Sequence, residues 1–355
     1  MSTRRTRVAV IGAGAVGTVV AAAAVDAGHD VVVCARRPID RLVVERADSV
    51  REIDVPVLVD PSEATEVDWV LLATKAQDAA GAAAWFGPLI GPSTTVVVLQ
   101  NGVDHAERIG PLVPRGTRVL PALVYVAAES LGPGHVLHRM GARITVPGAP
   151  GTARAEARAT FDEPSAADAS RTGATGTSRT GATSASRTGA TGASRTGATS
   201  ASRTGATDPA DRFAALLDGS WLHVERVADF STAAWRKLLT NVGANPVTSL
   251  TMKRMSVIQH EPAVRELTRA LLDEAIAVGR AAGAHLSDAD IEHTLDIYDG
   301  FAGDDGTSML YDRLAGRATE HELITGAVVR LGEQHGVPVP LNRAILALMH
   351  GVNHK

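Results

Sequence analysis

Cysteine and large aromatic side chains are both scarce in this chain of 355 residues. Phe, Trp and Tyr together make up 3% of the sequence, so we expect a core of many small side chains in closely packed helices and strands. The one cysteine, Cys34, excludes a disulfide within the chain and a metal cluster of several thiolates. The histidines are scattered and no metalloenzyme motif is present, so no metal site is predicted.

Long apolar runs and an excess of charge of one sign are also missing. No apolar run reaches about 18 residues, and glycines interrupt the apolar stretch that follows the basic N-terminus, so neither a membrane span nor a signal peptide is predicted. A formal charge of −4 excludes nucleic-acid binding by bulk charge. We therefore expect a cytoplasmic protein that binds neither nucleic acid nor membrane.

A repeat interrupts the chain. The sequence SRTGAT recurs with a period of eight residues, starting at Ser170, Ser178, Ser186, Ser194 and Ser202. Each copy offers no large apolar side chain, so burial cannot offset the entropy of ordering it. We predict that residues 151–211 are a disordered low-complexity insertion in a surface loop. The structural alternative is a β-solenoid, which usually has longer repeats with periodic Val, Ile or Leu. Weak binding of polyanions by the arginines is the alternative role.

On either side of the insertion the sequence patterns differ. Predicted strands at 8–11, 31–34, 69–73, 95–99 and 119–126 alternate with helical segments, which is typical of a parallel sheet covered on both faces. We predict an α/β protein in which a Rossmann-type doubly wound sheet spans residues 1–150 and ends with 212–228. An all-helical domain over 229–355 follows, with helices predicted at 232–244, 262–282, 307–314, 320–335 and 341–349.

A glycine-rich motif follows the first predicted strand and opens a helix. It consists of Gly12, Ala13, Gly14, Ala15, Val16 and Gly17. In GxGxxG the first glycine permits a tight turn, the second lets a pyrophosphate approach the backbone, and the third brings helix and strand close. A glycine turn without a ligand is the alternative, but the surrounding strand, helix and second strand favour dinucleotide binding.

The end of the second strand indicates which dinucleotide binds. An NAD site usually carries Asp or Glu there, and this chain has Arg36 and Arg37 instead. Arginine suits a 2′-phosphate, so NADPH or NADP+ is the expected cofactor. The alternative is that both arginines are solvated at a loop edge.

Polar residues at two further strand ends are candidates for the same site. Lys75 and Asn101 each follow a predicted parallel strand, where ligands of open α/β sheets bind. They are placed to reach nicotinamide, ribose or substrate. The alternative is that each is an exposed loop residue.

The helical region has a candidate substrate surface. Lys237, Asn241 and Asn245 recur at every fourth residue and so share one helix face. Asn is a poor helix former, so this stripe indicates the polar wall of a cleft. The alternative is a solvated face with Asn245 as a C-cap before Pro246.

Two helix starts allow a purely structural interpretation. Ser308 is a candidate cap, and Thr319 with Glu322 matches a capping box, which would leave Glu320 merely near a helix N-terminus.

Six motifs in this order resemble the ketopantoate reductase (2-dehydropantoate 2-reductase) family. They are GAGAVG, Lys75, Gln100-Asn101-Gly102, Trp235-x-Lys237 with Asn241 and Asn245-Pro246, Thr307-Ser308-Met309-Leu310-x-Asp312, and Gly316-Arg317-x-Thr319-Glu320. The resemblance runs from Arg7 to about Asn342, apart from the insertion. It implies NADPH-dependent reduction of a 2-oxo acid to pantoate, and it leaves a homodimer open.

The resemblance also implies a role for single residues. Lys237 is similar to the general acid of the family, and Glu320 is similar to its partner. The resemblance implies that substrate is bound by Asn241, Asn245 and Ser308. It also implies that Lys75 and Asn101 contact the nicotinamide and that Ala128 makes a backbone contact with the cofactor. Departures from the family are the insertion, the doubled arginine and the lack of a second asparagine within 247–258. Two other functions are therefore considered: a reductase of another 2-oxo acid or small ketone, and a non-catalytic NADP(H) sensor.

Overall fold

The computed structural model describes residues 5–148 and 208–353. Its first sheet has six parallel strands in the order β5-β2-β1-β6-β7-β8. These are β1 (Arg7–Ile11), β2 (Asp30–Cys34), β5 (Val57–Leu58), β6 (Val67–Leu72), β7 (Ile90–Val98) and β8 (Arg118–Pro121). Helix α1 (Ala15–Asp26) connects β1 to β2, and α2 (Ala79–Leu89) connects β6 to β7. This is the predicted Rossmann-type arrangement.

The first sheet is covered on both faces because successive side chains of a strand point in opposite directions. Val8 and Val10 of β1 belong to a core shared with α1. Ala9 and Ile11 belong to a second core, which contains aromatic side chains of α2. The small apolar residues of β1 thus allow close packing on each side.

A second sheet was not predicted. It is formed by β3 (Leu42–Arg46), β4 (Ser49–Ile53), β9 (Leu123–Gly132), β10 (His135–Pro147) and β11 (His223–Val227). Strand β10 pairs antiparallel with β9 and parallel with β3 and β11. Inward side chains of this sheet, such as Leu42 and Ile144, share the core of α1. The prediction of a single strand at 119–126 was wrong, because the chain leaves the first sheet after Pro121 and enters the second sheet at Leu123.

Two short helices accompany these sheets, α3 (His105–Ile109) and α4 (Pro209–Leu217). The described residues from 230 onward contain helices and no strand: α5 (Phe230–Thr251), α6 (Ser256–His260), α7 (Pro262–Ala281), α8 (Ala289–Asp299), α9 (Ser308–Leu314), α10 (His321–His335) and α11 (Pro340–Asn353). No described helix is both long and apolar enough to cross a bilayer. The SRTGAT repeats lie outside the described residues.

Helix α5 is longer than expected and changes the interpretation of Asn245. It continues through Asn245 and Pro246 to Thr251, so Asn245 is not a C-cap. Residues 242–249 are all buried, and this burial offsets the hydrogen bond that Pro246 cannot make within the helix.

The N-termini of α9 and α10 also differ from expectation. Thr307, not Ser308, caps α9, and its hydroxyl accepts a hydrogen bond from the Leu310 N–H at 3.2 Å. The capping box at α10 does not form, because Glu320 is the N-cap and the Thr319 hydroxyl binds Nδ1 of His321 at 2.9 Å.

Candidate active site

The glycine motif forms a tight loop between β1 and α1. Gly12 has φ +104°, and a Cβ added there would lie 2.9 Å from the backbone nitrogen of Thr74. A Cβ at Gly17 would lie 1.8 Å from the carbonyl oxygen of Gly12. By contrast, a Cβ at Gly14 would meet nothing within 4 Å. Packing therefore requires glycine at the first and third positions, while the second faces space through which a pyrophosphate can approach.

The arginines after β2 lie at the edge of this loop. The side chain of Arg36 is 87% exposed, and its Nη2 lies 3.7 Å from a carboxylate oxygen of Asp78. Such a weak surface ion pair leaves the guanidinium able to bind a phosphate. Cys34 ends the strand, and burial raises the pKa of its thiol to about 12, so the thiol carries no charge there.

Lys75 lies after the end of β6 and binds a carboxylate of the helical region. Its ammonium donates a hydrogen bond to Oδ2 of Asp312 in α9. Asp312 is buried and also accepts a hydrogen bond from Nε of Arg317 at 3.0 Å. The positive charge of Lys75 is thus paired with a carboxylate that two cations share.

Asn101 and Glu320 meet in the same place. The Asn101 amide donates to Oε2 of Glu320 at 3.3 Å, and the Ala76 N–H lies 3.4 Å from Oε1. Glu320 precedes α10, so it joins the strand ends of the first sheet to the helical region.

The turn that carries Asn101 is held by side chains beneath it. The Gln100 amide donates to the Thr74 carbonyl at 2.9 Å, and Nη2 of Arg108 donates to the Gln100 side-chain oxygen at 3.2 Å. Burial lowers the pKa of His105 to about 4, so its ring is neutral at pH 7 and its Nε2–H donates to the Gln100 carbonyl at 2.8 Å. These contacts fix the turn without using the Asn101 amide.

Lys237 projects from α5 into a different environment. Its Nζ lies 4.7 Å from the ring centroid of Tyr125 in β9, and the guanidinium carbon of Arg143 in β10 lies 4.2 Å from the same centroid. Burial and the positive charge of Arg143 lower the pKa of Lys237 to about 8, and the negative charge of Glu320 opposes this shift. Lys237 is therefore charged at pH 7 but releases its proton more readily than an ordinary lysine.

Lys237 shares one face of α5 with two further polar side chains, Asn241 and Asn245. Among residues 5–148 and 208–353, no partner forms a hydrogen bond or ion pair with the Lys237 ammonium, and none forms a hydrogen bond with the side-chain amides of Asn241 and Asn245. Asn245 is only 5% exposed. One turn further along, Thr248 Oγ1 lies 2.8 Å from Thr307 Oγ1, which brings the start of α9, with Ser308, beside this face.

Comparison with known proteins identifies the family. A model described as Ketopantoate reductase PanE/ApbA matches residues 8–151, and Ketopantoate reductase PanE/ApbA C terminal matches residues 229–353. A 2-dehydropantoate 2-reductase of Caulobacter vibrioides is 32% identical over 350 residues, which cover 97% of this chain and 98% of the relative. The chain belongs to the ketopantoate reductase family.

Solved structures of other proteins share the fold. A PanE/ApbA family ketopantoate reductase from Ralstonia eutropha superposes with a TM-score of 0.74 at 26% identity over 98% of each chain. A D-mandelate dehydrogenase, in a ternary structure with NADH and anilino(oxo)acetate, gives the same TM-score at 19% identity over 98% of each chain, which shows the fold alone. As a member of the ketopantoate reductase family, the chain is an oxidoreductase acting on a ketone, and the family uses a nicotinamide cofactor.

The structure brings most of the predicted residues to one region. Asn101 and the Ala76 N–H, next to Lys75, donate hydrogen bonds to Glu320, and Lys237 is within electrostatic reach of Glu320. Lys75 itself binds Asp312. Ala128 lies in β9, outside the parallel sheet. The turn that follows this strand touches the glycine loop, since the Gly134 N–H donates to the Ala13 carbonyl at 3.3 Å.

Three side chains near Lys237 and Lys75 were not predicted as site residues. Tyr125 and Arg143 belong to the second sheet, which the sequence patterns did not indicate. Asp312 lies in a motif that the family resemblance had already marked, so that motif was the available signal for its role.

Proposed function

We propose that the chain reduces 2-dehydropantoate (ketopantoate) to pantoate with NADPH, a step of pantothenate and coenzyme A biosynthesis. The observation that carries the proposal is the environment of Lys237. Lys237, with its pKa near 8, lies within reach of Glu320 and shares a helix face with Asn241 and Asn245, whose amides have no hydrogen-bond partner among residues 5–148 and 208–353. A non-catalytic NADP(H) sensor has no need of this group.

Lys237 serves as the general acid of the reduction. When bound, NADPH supplies the hydride that reaches the carbonyl carbon, and negative charge then develops on the carbonyl oxygen. The ammonium of Lys237 stabilises this charge and transfers a proton from Nζ to the oxygen. Burial and Arg143 favour the release of this proton, and Glu320 keeps Lys237 protonated at neutral pH.

Hydrogen-bond donors hold the substrate on the same surface. The amides of Asn241 and Asn245 and the hydroxyl of Ser308 are assigned to the carboxylate and the developing alkoxide of a 2-oxo acid. Both the carboxylate and the developing alkoxide need donors rather than acceptors, which these groups offer. Glu320 is positioned for its part by Asn101 and the Ala76 N–H.

The cofactor is assigned to residues 1–150. The loop from Gly12 to Gly17 suits the pyrophosphate because it leaves space at Gly14. Arg36 is assigned to the 2′-phosphate, Lys75 and Asn101 to the nicotinamide end, and Ala128 to a backbone contact. The helical region, 229–355, then supplies the acid and the substrate donors.

A second candidate is a reductase of an aromatic 2-oxo acid. It is favoured by a departure from the family pattern, since residues 247–258 contain no second asparagine of the kind expected on the ketopantoate-binding surface. This function would use the same acid and donors.

Steady-state oxidation of NADPH and NADH with a panel of 2-oxo acids distinguishes these functions. We expect the highest kcat/KM for ketopantoate with NADPH. A higher value for phenylglyoxylate would support the second candidate. Tight NADPH binding without turnover of any 2-oxo acid would contradict both and support the sensor.

A further inference from the structure

Three metal-ligating side chains converge at the start of α10, outside the set assigned to the reaction. His321 and Glu322 are the first residues of this helix, and His350 comes from the last turn of α11. One ligand atom of each residue lies within 4.8 Å of the others. Nε2 of His350 is 2.6 Å from Oε1 of Glu322, and Nε2 of His321 is 3.9 Å from the same oxygen.

A hydrogen-bond chain fixes the orientation of His321. The Asn353 amide nitrogen donates to the Met349 carbonyl at 2.7 Å, which identifies Oδ1 of Asn353 as its acceptor atom. The Thr319 hydroxyl uses its only proton to donate to this oxygen at 3.2 Å. Thr319 Oγ1 must therefore accept the hydrogen bond from Nδ1 of His321, 2.9 Å away.

This chain of hydrogen bonds leaves the lone pair of His321 Nε2 on the side of the three-residue cluster. With the proton on Nδ1, Nε2 of neutral His321 is an acceptor, and the group opposite it is the carboxylate of Glu322. The proton between Glu322 and its other neighbour comes from His350. Two acceptors thus face each other at 3.9 Å, an arrangement that a cation would stabilise.

We propose that His321, Glu322 and His350 bind one divalent transition-metal ion of the Zn²⁺ type. Two imidazoles and one carboxylate suit Zn²⁺, whereas Mg²⁺ and Ca²⁺ prefer oxygen ligands. Thr319 holds the Nδ1–H of His321, which is the outer contact that usually orients a histidine ligand. Water completes the coordination.

The three ligands can approach an ion because one of them, His321, is fixed and the other two can move. Zinc ligands at about 2.0–2.2 Å lie roughly 3.4 Å from each other, closer than the largest separation here. The His321 side chain is 12% exposed and anchored by Thr319, while those of Glu322 and His350 are 63% and 52% exposed. The two exposed side chains therefore move towards His321, and the ion joins the start of α10 to the end of α11.

Zinc chloride titration of the full chain against a chromogenic chelator tests this proposal, and thermal unfolding with and without Zn²⁺ provides a second readout. We expect His321→Ala and His350→Ala each to weaken binding of one Zn²⁺ by at least about tenfold and to reduce the rise in Tm. His335→Ala is the matched control, since this exposed histidine ends the same helix. Millimolar Mg²⁺ should not compete.

Unchanged Zn²⁺ affinity and stoichiometry in both histidine variants would overturn the proposal. Because His350 is half exposed, His350→Ala should fold even if His321→Ala does not, which circular dichroism in EDTA checks. Thr319→Val sharpens the result. It keeps all three ligands but removes the acceptor for Nδ1–H, so it should weaken Zn²⁺ binding by about tenfold or more.

Discussion

The two lysines of the site stand in opposite electrostatic surroundings. Lys75, at the strand ends of the first sheet, donates to the buried carboxylate of Asp312. Lys237, on α5, lies over the Tyr125 ring with the cation Arg143 nearby, and its pKa falls to about 8. A desolvated site with a second cation favours release of the Lys237 proton, whereas Lys75 is held in an ion pair. The first environment suits a fixed charge for binding, and the second suits proton transfer.

The largest effect should come from removing Lys237. In Lys237→Ala we expect turnover to fall by roughly 10²–10⁴, the usual contribution of a general acid, while NADPH affinity stays nearly unchanged. Lys75→Ala is the matched variant and should weaken NADPH binding as well as lower the rate. Steady-state kinetics and direct NADPH titration of both variants measure the difference. Near-normal turnover in Lys237→Ala would remove the distinction between the two lysines.

The effect of Lys237 on the stability of the fold can be tested with a second variant, Lys237→Met. The folded-state pKa of Lys237 lies below its ordinary value, so the folded chain holds this proton less strongly than the unfolded chain does. Stability therefore rises as the pH increases from about 8 towards the ordinary pKa of lysine. At pH 7, Lys237→Met should have a higher Tm than the unmodified chain, measured by differential scanning fluorimetry. A lower Tm would mean that lost contacts outweigh desolvation.

The cofactor region should give the next largest effect. Replacing Arg36 and Arg37 with Ala should remove most of the preference for NADPH over NADH. A charge-assisted contact contributes about 1.5–3 kcal/mol, so the ratio of the two affinities should change tenfold or more. Titration of both cofactors measures this ratio. Equal affinities in the unmodified chain would show that neither arginine recognises the 2′-phosphate.

A smaller effect should appear in the pH profile, with opposite signs in two variants. Activity should fall as the pH rises through about 8, because Lys237 then loses its proton. Arg143→Met removes a repulsive cation and should move this alkaline limb to higher pH, whereas Glu320→Gln should move it to lower pH. Arg139→Met, in the same strand as Arg143, is the control. Shifts in the same direction in kcat/KM profiles would contradict the assignment.

The smallest effect is expected from shortening the insertion, which should leave the surroundings of both Lys75 and Lys237 unchanged. Deleting residues 170–207 removes the repeats, whose sequence has no large apolar side chains. Since loop-closure entropy changes slowly with length, the free energy of unfolding should change by no more than about 1 kcal/mol. Urea unfolding and turnover are the measurements. Loss of either folding or activity would show that the segment is structural.

Local patterns explain why most of the first sheet could be predicted and the second sheet could not. The GxGxxG turn and the apolar strands around it follow from rules that act within a few residues. Strand β10 lacks such a pattern: it contains Gly141 at φ +81° and several register shifts against β9. Its pairing of His135 with Val43 joins residues far apart in sequence, which no local rule indicates.

In the candidate site, too, only local features could be predicted from the sequence. The spacing of Lys237, Asn241 and Asn245 placed them on one helix face, because helical periodicity is local. The contact of Lys75 with Asp312 spans 237 positions, and Tyr125 and Arg143 reach Lys237 from the unpredicted sheet. Chain topology, rather than spacing, brings these groups together. The roles of the individual residues and the domain boundaries stay predictions.

Cys34 gives the protein a practical property. Thiolates, not thiols, react with alkylating reagents and oxidants, and a buried thiol with a pKa of about 12 forms almost none at neutral pH. The strand that leads to Arg36 is therefore insensitive to oxidative modification at this position. Two cysteines introduced at exposed positions, one on each side of the contact between Lys75 and Asp312, would be the only reactive thiols in the chain. Spin labels attached there would report the distance between the first sheet and the helical region.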